Sequence, residues 1–432
     1  RFLIGLSYAS PEILYTLFGF LHVVSLLYFS LNPDEFQNFL RLDLENSLNT
    51  IYKASFFKLL IDIVYLIVTV TCSGKAGASF IKSFIGISGL DIPLRSIREI
   101  KAFALLWFTY LLINYAGGFI YLWANIATRT VLFEGSGAYF TIARNSLQFS
   151  GFLLFVVYAI RRNLLMGIIW IALTGFFLGI TGSRSSFVFL VFAAGLFYAM
   201  KVKELKINIK LIVCVFVFMV LFVSLGKLRH SSVSEYGGVK NFVSAAVFEF
   251  PSHLAPYVSQ VRRDVVILNY FENHEFWYGK QYYSLLTAPM PRNYFPDKPV
   301  LDGGRHVVGM YEGIDVEPIM ELDELPKTAW PEGNMAGYMN FGLAGLIIFT
   351  IISAIIVKSI YVASFMGSLP LTFLYAYSIF IVPLTFDPSG LFKFIMYLAT
   401  LFLFCLLFFL LRTVFKILHS LSAVKSYKRL SV

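Results

Sequence analysis

Apolar runs close to twenty residues long alternate with short polar connections along most of the chain. A helix rising 1.5 Å per residue needs about 20 apolar residues to cross the hydrocarbon core of a bilayer. Ten stretches fit that length or approach it: 12–31, 54–73, 102–124, 140–160, 164–181, 185–200, 209–226, 336–357, 367–386 and 389–411. The shortest is 185–200. The weaker stretch 79–94 contains Gly86, Gly89 and Pro93 and reads as interfacial. Between 227 and 335 the pattern changes. Residues 240–273 place Val243, Val247, Phe250, Leu254, Val258, Val261, Val265 and Leu268 at helical spacing, with Pro251 suited to a helix start. Residues 276–300 are rich in Tyr, Trp and Pro, and 312–324 form an acidic run that reads as a solvated, mobile loop. No repeat of fixed period is present. The predicted fold is an all-α polytopic membrane protein of about ten transmembrane helices with one large, partly helical periplasmic loop. Its divisions are an N-terminal bundle over 1–226, the loop over 227–335, and a C-terminal bundle with a basic tail over 336–432.

Composition agrees with that pattern. Of 432 residues, 58% are apolar and 14% charged, and mean hydropathy is +0.74. An ordinary soluble domain carries about 25% charged residues, so this class is excluded. The net charge of +10 reads as topology signal rather than nucleic-acid affinity. Lys75–Lys101, Arg161–Arg162, Lys201–Lys210, Lys358 and Arg412–Arg429 fall in or around connections on one side. The opposite short connections hold only Arg41, Lys53, Arg129, Arg144 and Arg184. This bias places both ends of the chain in the cytoplasm and the long loop outside. Cys72, Cys214 and Cys405 lie in or beside apolar runs and read as small buried hydrophobes, not as a disulfide framework. The chain opens on Arg1 with no cleavable signal peptide visible, and further chain before it is expected.

Several kinds of chemistry find no motif. There is no Walker A loop, HExxH, CxxC or G-x-S-x-G elbow, and no metal is implied. Charges inside the apolar runs are few: Lys58 and Asp62, spaced to pair one turn apart, and Lys393, placed to snorkel to the external interface. No chain of acidic and histidine residues marks a proton path, and neither repeat symmetry nor broken helices point to a transporter.

Three external segments carry more specific chemistry. In Thr181-Gly182-Ser183-Arg184-Ser185-Ser186, an arginine stands between two apolar helices at headgroup level. Its forked donors match phosphate oxygens, though an anchor on lipid headgroups gives the same pattern. The stretch from Tyr278-Gly279 through Tyr282-Tyr283 to Pro289-Met290-Pro291-Arg292 and Pro296-Asp297-Lys298-Pro299, then Gly303-Gly304-Arg305-His306, sets cations on a proline-stiffened backbone among aromatics. A proline-rich cap packed on the bundle is the alternative. In Trp330-Pro331-Glu332-Gly333-Asn334, followed by Gly337-Tyr338-Met339-Asn340-Phe341-Gly342-Leu343-Ala344-Gly345, a carboxylate precedes an apolar helix. There, Gly342 and Gly345 stand one turn apart for close helix packing.

Together these segments resemble the Wzy-type polymerases, bacterial enzymes that join lipid-linked oligosaccharide repeat units and are related to O-antigen ligases. The resemblance spans residues 102–411 in architecture and is specific in 181–186, 276–299 and 338–345. It implies a periplasmic active site in the bacterial cytoplasmic membrane, with a donor glycan on undecaprenyl pyrophosphate and an acceptor unit on a second carrier. It implies neither metal nor nucleotide cofactor. By the same resemblance Arg184 and Arg292 would hold the pyrophosphate. Lys298, Arg305, His306, Tyr282, Tyr338, Asn340 and Arg144 would line the substrate site. Membrane lipids and a chain-length regulator are the implied partners, and nucleic acid is not. Ligases carry a His before the glycine helix where this chain reads Pro331-Glu332-Gly333-Asn334, which favours a polymerase. Glu332 is the candidate general base, with Asp302 next and His306 as a further choice. Arginines nearby would keep Glu332 ionised, or it would serve only to orient one of them. The alternatives are an O-antigen ligase and, in another class, a lipid-linked oligosaccharide flippase.

Overall fold

The computed structural model describes residues 10–40, 44–85, 97–114, 137–180, 184–202, 259–290, 295–330, 332–365, 369–380 and 386–430, with residues 244 and 255. Among the described residues the ordered elements are all helical. They are α1 (Pro11–Leu31), α2 (Pro33–Leu40), α3 (Leu44–Thr71), α4 (Lys75–Ile85), α5 (Ile97–Asn114), α6 (Gly137–Ile160), α7 (Leu164–Ile180), α8 (Arg184–Phe197), α9 (Val261–Asn273), α10 (Ser284–Thr287), α11 (Gly303–Tyr311), α12 (Met335–Phe365), α13 (Leu369–Phe380) and α14 (Pro388–Leu430). A π turn follows α8 and a 3-10 turn, Lys280–Tyr283, precedes α10.

Among the described residues, four stretches are long and apolar enough to cross a membrane: Pro11–Leu31, Leu48–Thr71, Met335–Phe365 and Pro388–Ile417. Shorter apolar helices cover Leu164–Leu178, Ser186–Met200 and Leu369–Ile379. On the long ones, large apolar side chains such as Phe20, Leu27, Phe56, Ile63, Ile352 and Phe402 are exposed in rows. Rows of that kind suit a lipid solvent. The architecture is that of an all-helical membrane protein. Of the stretches expected from sequence, 209–226 lies outside the described residues, 102–124 is described only to Asn114, 367–386 only over 369–380 and at 386, 79–94 only to Ile85, and the helical spacing over 240–258 only at 244 and 255.

The chain forms two compact units. Unit 1 comprises Arg1–Ala78, Glu204–Val362 and Ser378–Phe392. Its helix α1 starts where local chemistry favours a start: Ser10 caps the amide of Ile13 at 3.5 Å and Pro11 occupies the first turn. The core joins α3 (Ala54, Phe57, Ile61) to α9 (Val261, Val265, Leu268), α11 (Val307) and the head of α12 (Met335, Met339, Leu346). Against this apolar core, α1 buries a polar stripe that includes Glu12, Tyr15, His22 and Ser25. Lys358 was expected in a connection, but α12 continues to Phe365, so this lysine lies within the helix and pairs with Glu12. Lys58 and Asp62 pair as their spacing predicts. The Tyr15 hydroxyl donates to the same Asp62 oxygen at 2.6 Å and is also hydrogen-bonded by the Asn334 side chain. One polar chain thus ties α1 and α3 to the segment leading into α12.

The acidic run expected to be mobile is fastened instead. Val316 and Leu325 enter the unit 1 core. The Tyr270 hydroxyl of α9 accepts from the Val316 amide at 2.9 Å and lies 3.0 Å from its carbonyl and 3.1 Å from Asp315. Burial, with Asp315 beside it, pushes that hydroxyl up to about 12, so it remains protonated.

Unit 2 comprises Ser79–Lys203, Ala363–Tyr377 and Lys393–Val432. Helix α6 is its centre, burying Phe149, Phe152, Leu153 and Val156. Phe149 and Phe152 meet Phe373 of α13 at 5.0 and 4.8 Å between ring centroids. Gln148 links three helices: its amide donates to the Ser186 carbonyl of α8 at 2.7 Å and its oxygen accepts from Tyr397 of α14 at 3.1 Å. Cys405 is buried here as expected and Cys72, in unit 1, is half-buried; both are free thiols. Cys214 lies outside the described residues.

Candidate functional site

Helix α12 is not continuous. Phe341 (φ −141°, ψ 19°) and Gly342 (φ 62°, ψ −152°) leave helical geometry. The Gly342 conformation belongs to a region open essentially to glycine alone. The break is a sharp reversal: a Cβ on Gly337 would stand 2.6 Å from the Gly345 carbonyl oxygen, whereas eight residues of straight helix span roughly 12 Å. Gly345 therefore does pack closely, but against Gly337. Gly342, expected beside it on a packing face, is the hinge of the reversal. The absence of broken helices expected from sequence is corrected here.

A helix end leaves carbonyls without partners. Two of these are met from the long loop: the amide of Trp277 donates to Met339 at 3.0 Å and that of Tyr278 to Asn340 at 2.8 Å. The chain then turns through Tyr278 and Gly279, both at positive φ, into the 280–287 segment. That turn delivers Gln281 to the break. Its amide donates to Glu332 Oε2 at 3.2 Å, and its oxygen accepts from Asn340 Nδ2 at 3.1 Å. Asn340 also donates to the Ala336 carbonyl at 2.9 Å. Glu332 is only 3% exposed, and Gln281 and Asn340 are buried as completely.

The other carboxylate oxygen of Glu332 faces the start of α11. A Cβ on Gly303 would come within 1.8 Å of Oε1, so only glycine admits this approach. Asp302 caps the helix by accepting from the Gly304 amide at 3.2 Å, and the Trp330 amide donates to the Gly304 carbonyl at 3.0 Å. Tyr282 completes the surroundings. Its hydroxyl donates to the Phe386 carbonyl at 2.6 Å. Burial and the charges of Glu332 and Asp387 raise its pKa far above the ordinary tyrosine value, so it stays a donor. Asp387 caps α14, accepting from the Gly390 amide at 2.7 Å.

Glu332, Asn340 and Tyr282, named from sequence, thus stand together. Tyr338 does not face them; it is packed among Phe57, Phe276 and Phe271. His306 is wholly buried in α11 with its ring 5.5 Å from that of Trp277, and burial lowers its pKa to about 4. It is a neutral core histidine. Lys298 reaches back to the carbonyls of Ala288 and Met290 at 3.3 and 2.6 Å, clasping its own loop. Arg305 is half-buried on α11. In unit 2, Arg144 lies within electrostatic reach of Tyr377 and Tyr397, whose rings stack at 3.6 Å. Arg184 opens α8, but its side chain, like all of Arg292, lies outside the described residues.

Three participants escaped the sequence reading. Gln281 lies between Tyr278-Gly279 and Tyr282-Tyr283, and no motif marks it. Asp387-Pro388-Ser389-Gly390 carries a legible helix-start signal. Arg263, buried beside Gly333, bonds Asp264 at 2.7 Å and Gln260 at 2.8 Å, and no motif marks it. Comparison with protein-family models, curated proteins and solved structures finds no match to this chain.

Proposed function

We propose that the protein polymerises lipid-linked oligosaccharide repeat units at the outer face of a bacterial cytoplasmic membrane. The observation that supports this is the interlocking of two of the three segments on which the resemblance rests. The Tyr-Gly loop supplies Trp277, Tyr278 and Gln281, and the Tyr-x-Asn-Phe-Gly segment supplies Met339 and Asn340, around the Glu332 carboxylate. In the reaction, the acceptor hydroxyl oxygen attacks the anomeric carbon of the donor and the bond to lipid pyrophosphate breaks, with inversion. Pyrophosphate leaves as a stabilised anion, so the protein must align the substrates and neutralise charge. Arg184 and Arg292 are assigned to the pyrophosphate, and Glu332 to accepting the hydroxyl proton. This reading includes ten spans, cytoplasmic ends and a periplasmic loop over 227–335.

A second reading has one observation in its favour. The reversal at Phe341–Gly342 is a break of the kind that builds binding sites in transporters, which suits a lipid-linked oligosaccharide flippase. Profiling of lipid-linked glycans in a deletion strain separates the readings. Single repeat units exposed at the outer face are expected on loss of a polymerase. Units trapped at the inner face would overturn that in favour of a flippase, and full-length polymer left on its carrier would favour a ligase.

A further inference from the structure

The segment 278–290 is built inside out. Its polar side chains Gln281 and Ser284 are buried, while Tyr283 is 53% and Leu286 70% exposed, with Tyr278 and Met290 exposed beside them. A loop bathed in water sorts its side chains the other way, because exposing large apolar groups forfeits their transfer free energy. The level at which the segment sits supplies the reason. A Cβ on Gly279 would contact the Phe341 ring at 3.2 Å, and the Tyr282 ring meets that of Phe349 at 6.2 Å. The segment therefore runs beside the first two turns of the long arm of α12. That arm exposes Phe341, Leu343, Ile348 and Ile352, the apolar row of a helix long enough to span a membrane.

We propose that residues 278–290 form a membrane-embedded element whose outer side, Tyr283, Leu286 and Met290, contacts the hydrocarbon chains of bilayer lipids. The segment is joined to α12 at the Gly279–Phe341 and Tyr282–Phe349 contacts, and both expose large apolar side chains, so one occupant is assigned to both. Lys280, exposed at the start of the segment, has the reach to place its ammonium among headgroups. The polar cluster of Gln281, Asn340 and Glu332 then lies directly behind a lipid-facing wall. Backbone outside regular spans is tolerated at membrane depth where its groups are bonded within the protein, as Trp277, Tyr278, Lys280 and Tyr282 are here.

The test is collisional accessibility of nitroxide labels on the full chain in lipid bilayers. Single cysteines replace Tyr283, Leu286 and Met290, with Glu275 and Asp297 as exposed controls, in a background lacking the three native cysteines. At 283, 286 and 290, molecular oxygen is expected to relax the label more than a water-soluble nickel chelate does, with the order reversed at 275 and 297. Nickel access at 286 equal to that at 297 would overturn the proposal by placing the segment in water. Protection from both reagents would overturn it equally, since a protein and not lipid would then cover the face. Restriction of the analysis to variants that elute as monodisperse protein keeps misfolded chains out of either outcome.

Discussion

Gly303 carries no side chain where Glu332 and Gln281 come closest, and that vacancy is what lets a carboxylate dock on the start of α11. Gly303→Ala should displace Glu332 and abolish polymer while insertion is retained, checked by glycan ladder length against membrane protein level. Glu332 itself has two separable roles. If it accepts the hydroxyl proton, Glu332→Gln should lose most activity, a factor of about 100 or less for a weak base. If it only holds Gln281 in place, the amide should keep part of it. Polymer of normal length from both the Gln and Ala variants would remove Glu332 from the site. Arg184→Ala and Arg292→Ala should each cost about 2–4 kcal/mol in the transition state, roughly 30- to 1000-fold in rate, with Arg184→Lys a poor rescue. His306 gives a different pH signature. Its folded pKa of about 4 lies below the ordinary value of 6.5, so the unfolded chain binds the extra proton first. Stability should therefore be intact above pH 6.5 and fall between about pH 6.5 and 4, by up to about 3 kcal/mol. Thermal melts of His306→Leu should lack that acid-side loss.

Among the elements, apolar periodicity carries the helices, because a bilayer imposes length and hydropathy on each span independently of its neighbours. What sequence could not show is which polar groups meet. Lys58 and Asp62 are four residues apart and their pairing was legible. Tyr15 and Asn334, which complete that cluster, come from distant parts of the chain and carry no mark of it. The same limit hid the reversal in α12: Gly342 and Gly345 fit a smooth packing face as well as a hinge, and only the carbonyl acceptors at Met339 and Asn340, met by Trp277 and Tyr278, decide between them. The Tyr15–Asp62 contact is open to a cycle of substitutions. Tyr15→Phe should lower thermal stability in detergent by about 0.6–1.7 kcal/mol, the usual range for a hydrogen bond between membrane helices. Asp62→Asn should cost more, about 2.5–3.5 kcal/mol, because it strands the Lys58 charge. The double variant Lys58→Met/Asp62→Asn should recover much of that difference. Equal losses in the single and double variants would show that the pair is already solvated.

At the scale of the molecule, the proposed external position of 227–335 rests on the asymmetry of basic residues. A cysteine at Ser252, outside the described residues, should react with a membrane-impermeant thiol reagent in cells whose outer membrane alone is permeable. Reaction only after the inner membrane is lysed would invert the topology and move the Glu332 cluster to the cytoplasmic side. The loop is also more than an appendage, since α9 and α11 share one core with α3 and the head of α12. Its grip on the reversed helix has a kinetic consequence. The amide protons of Trp277 and Tyr278 belong to no helix of their own, yet both are held by carbonyls of the short arm of α12. They can exchange with deuterated solvent only when the loop lifts away from that arm. Their exchange rates form a clock for the detachment, and a ligand that seats on the Glu332 cluster and tightens this grip should slow both amides by the same factor while leaving the exposed turns of the acidic run unchanged.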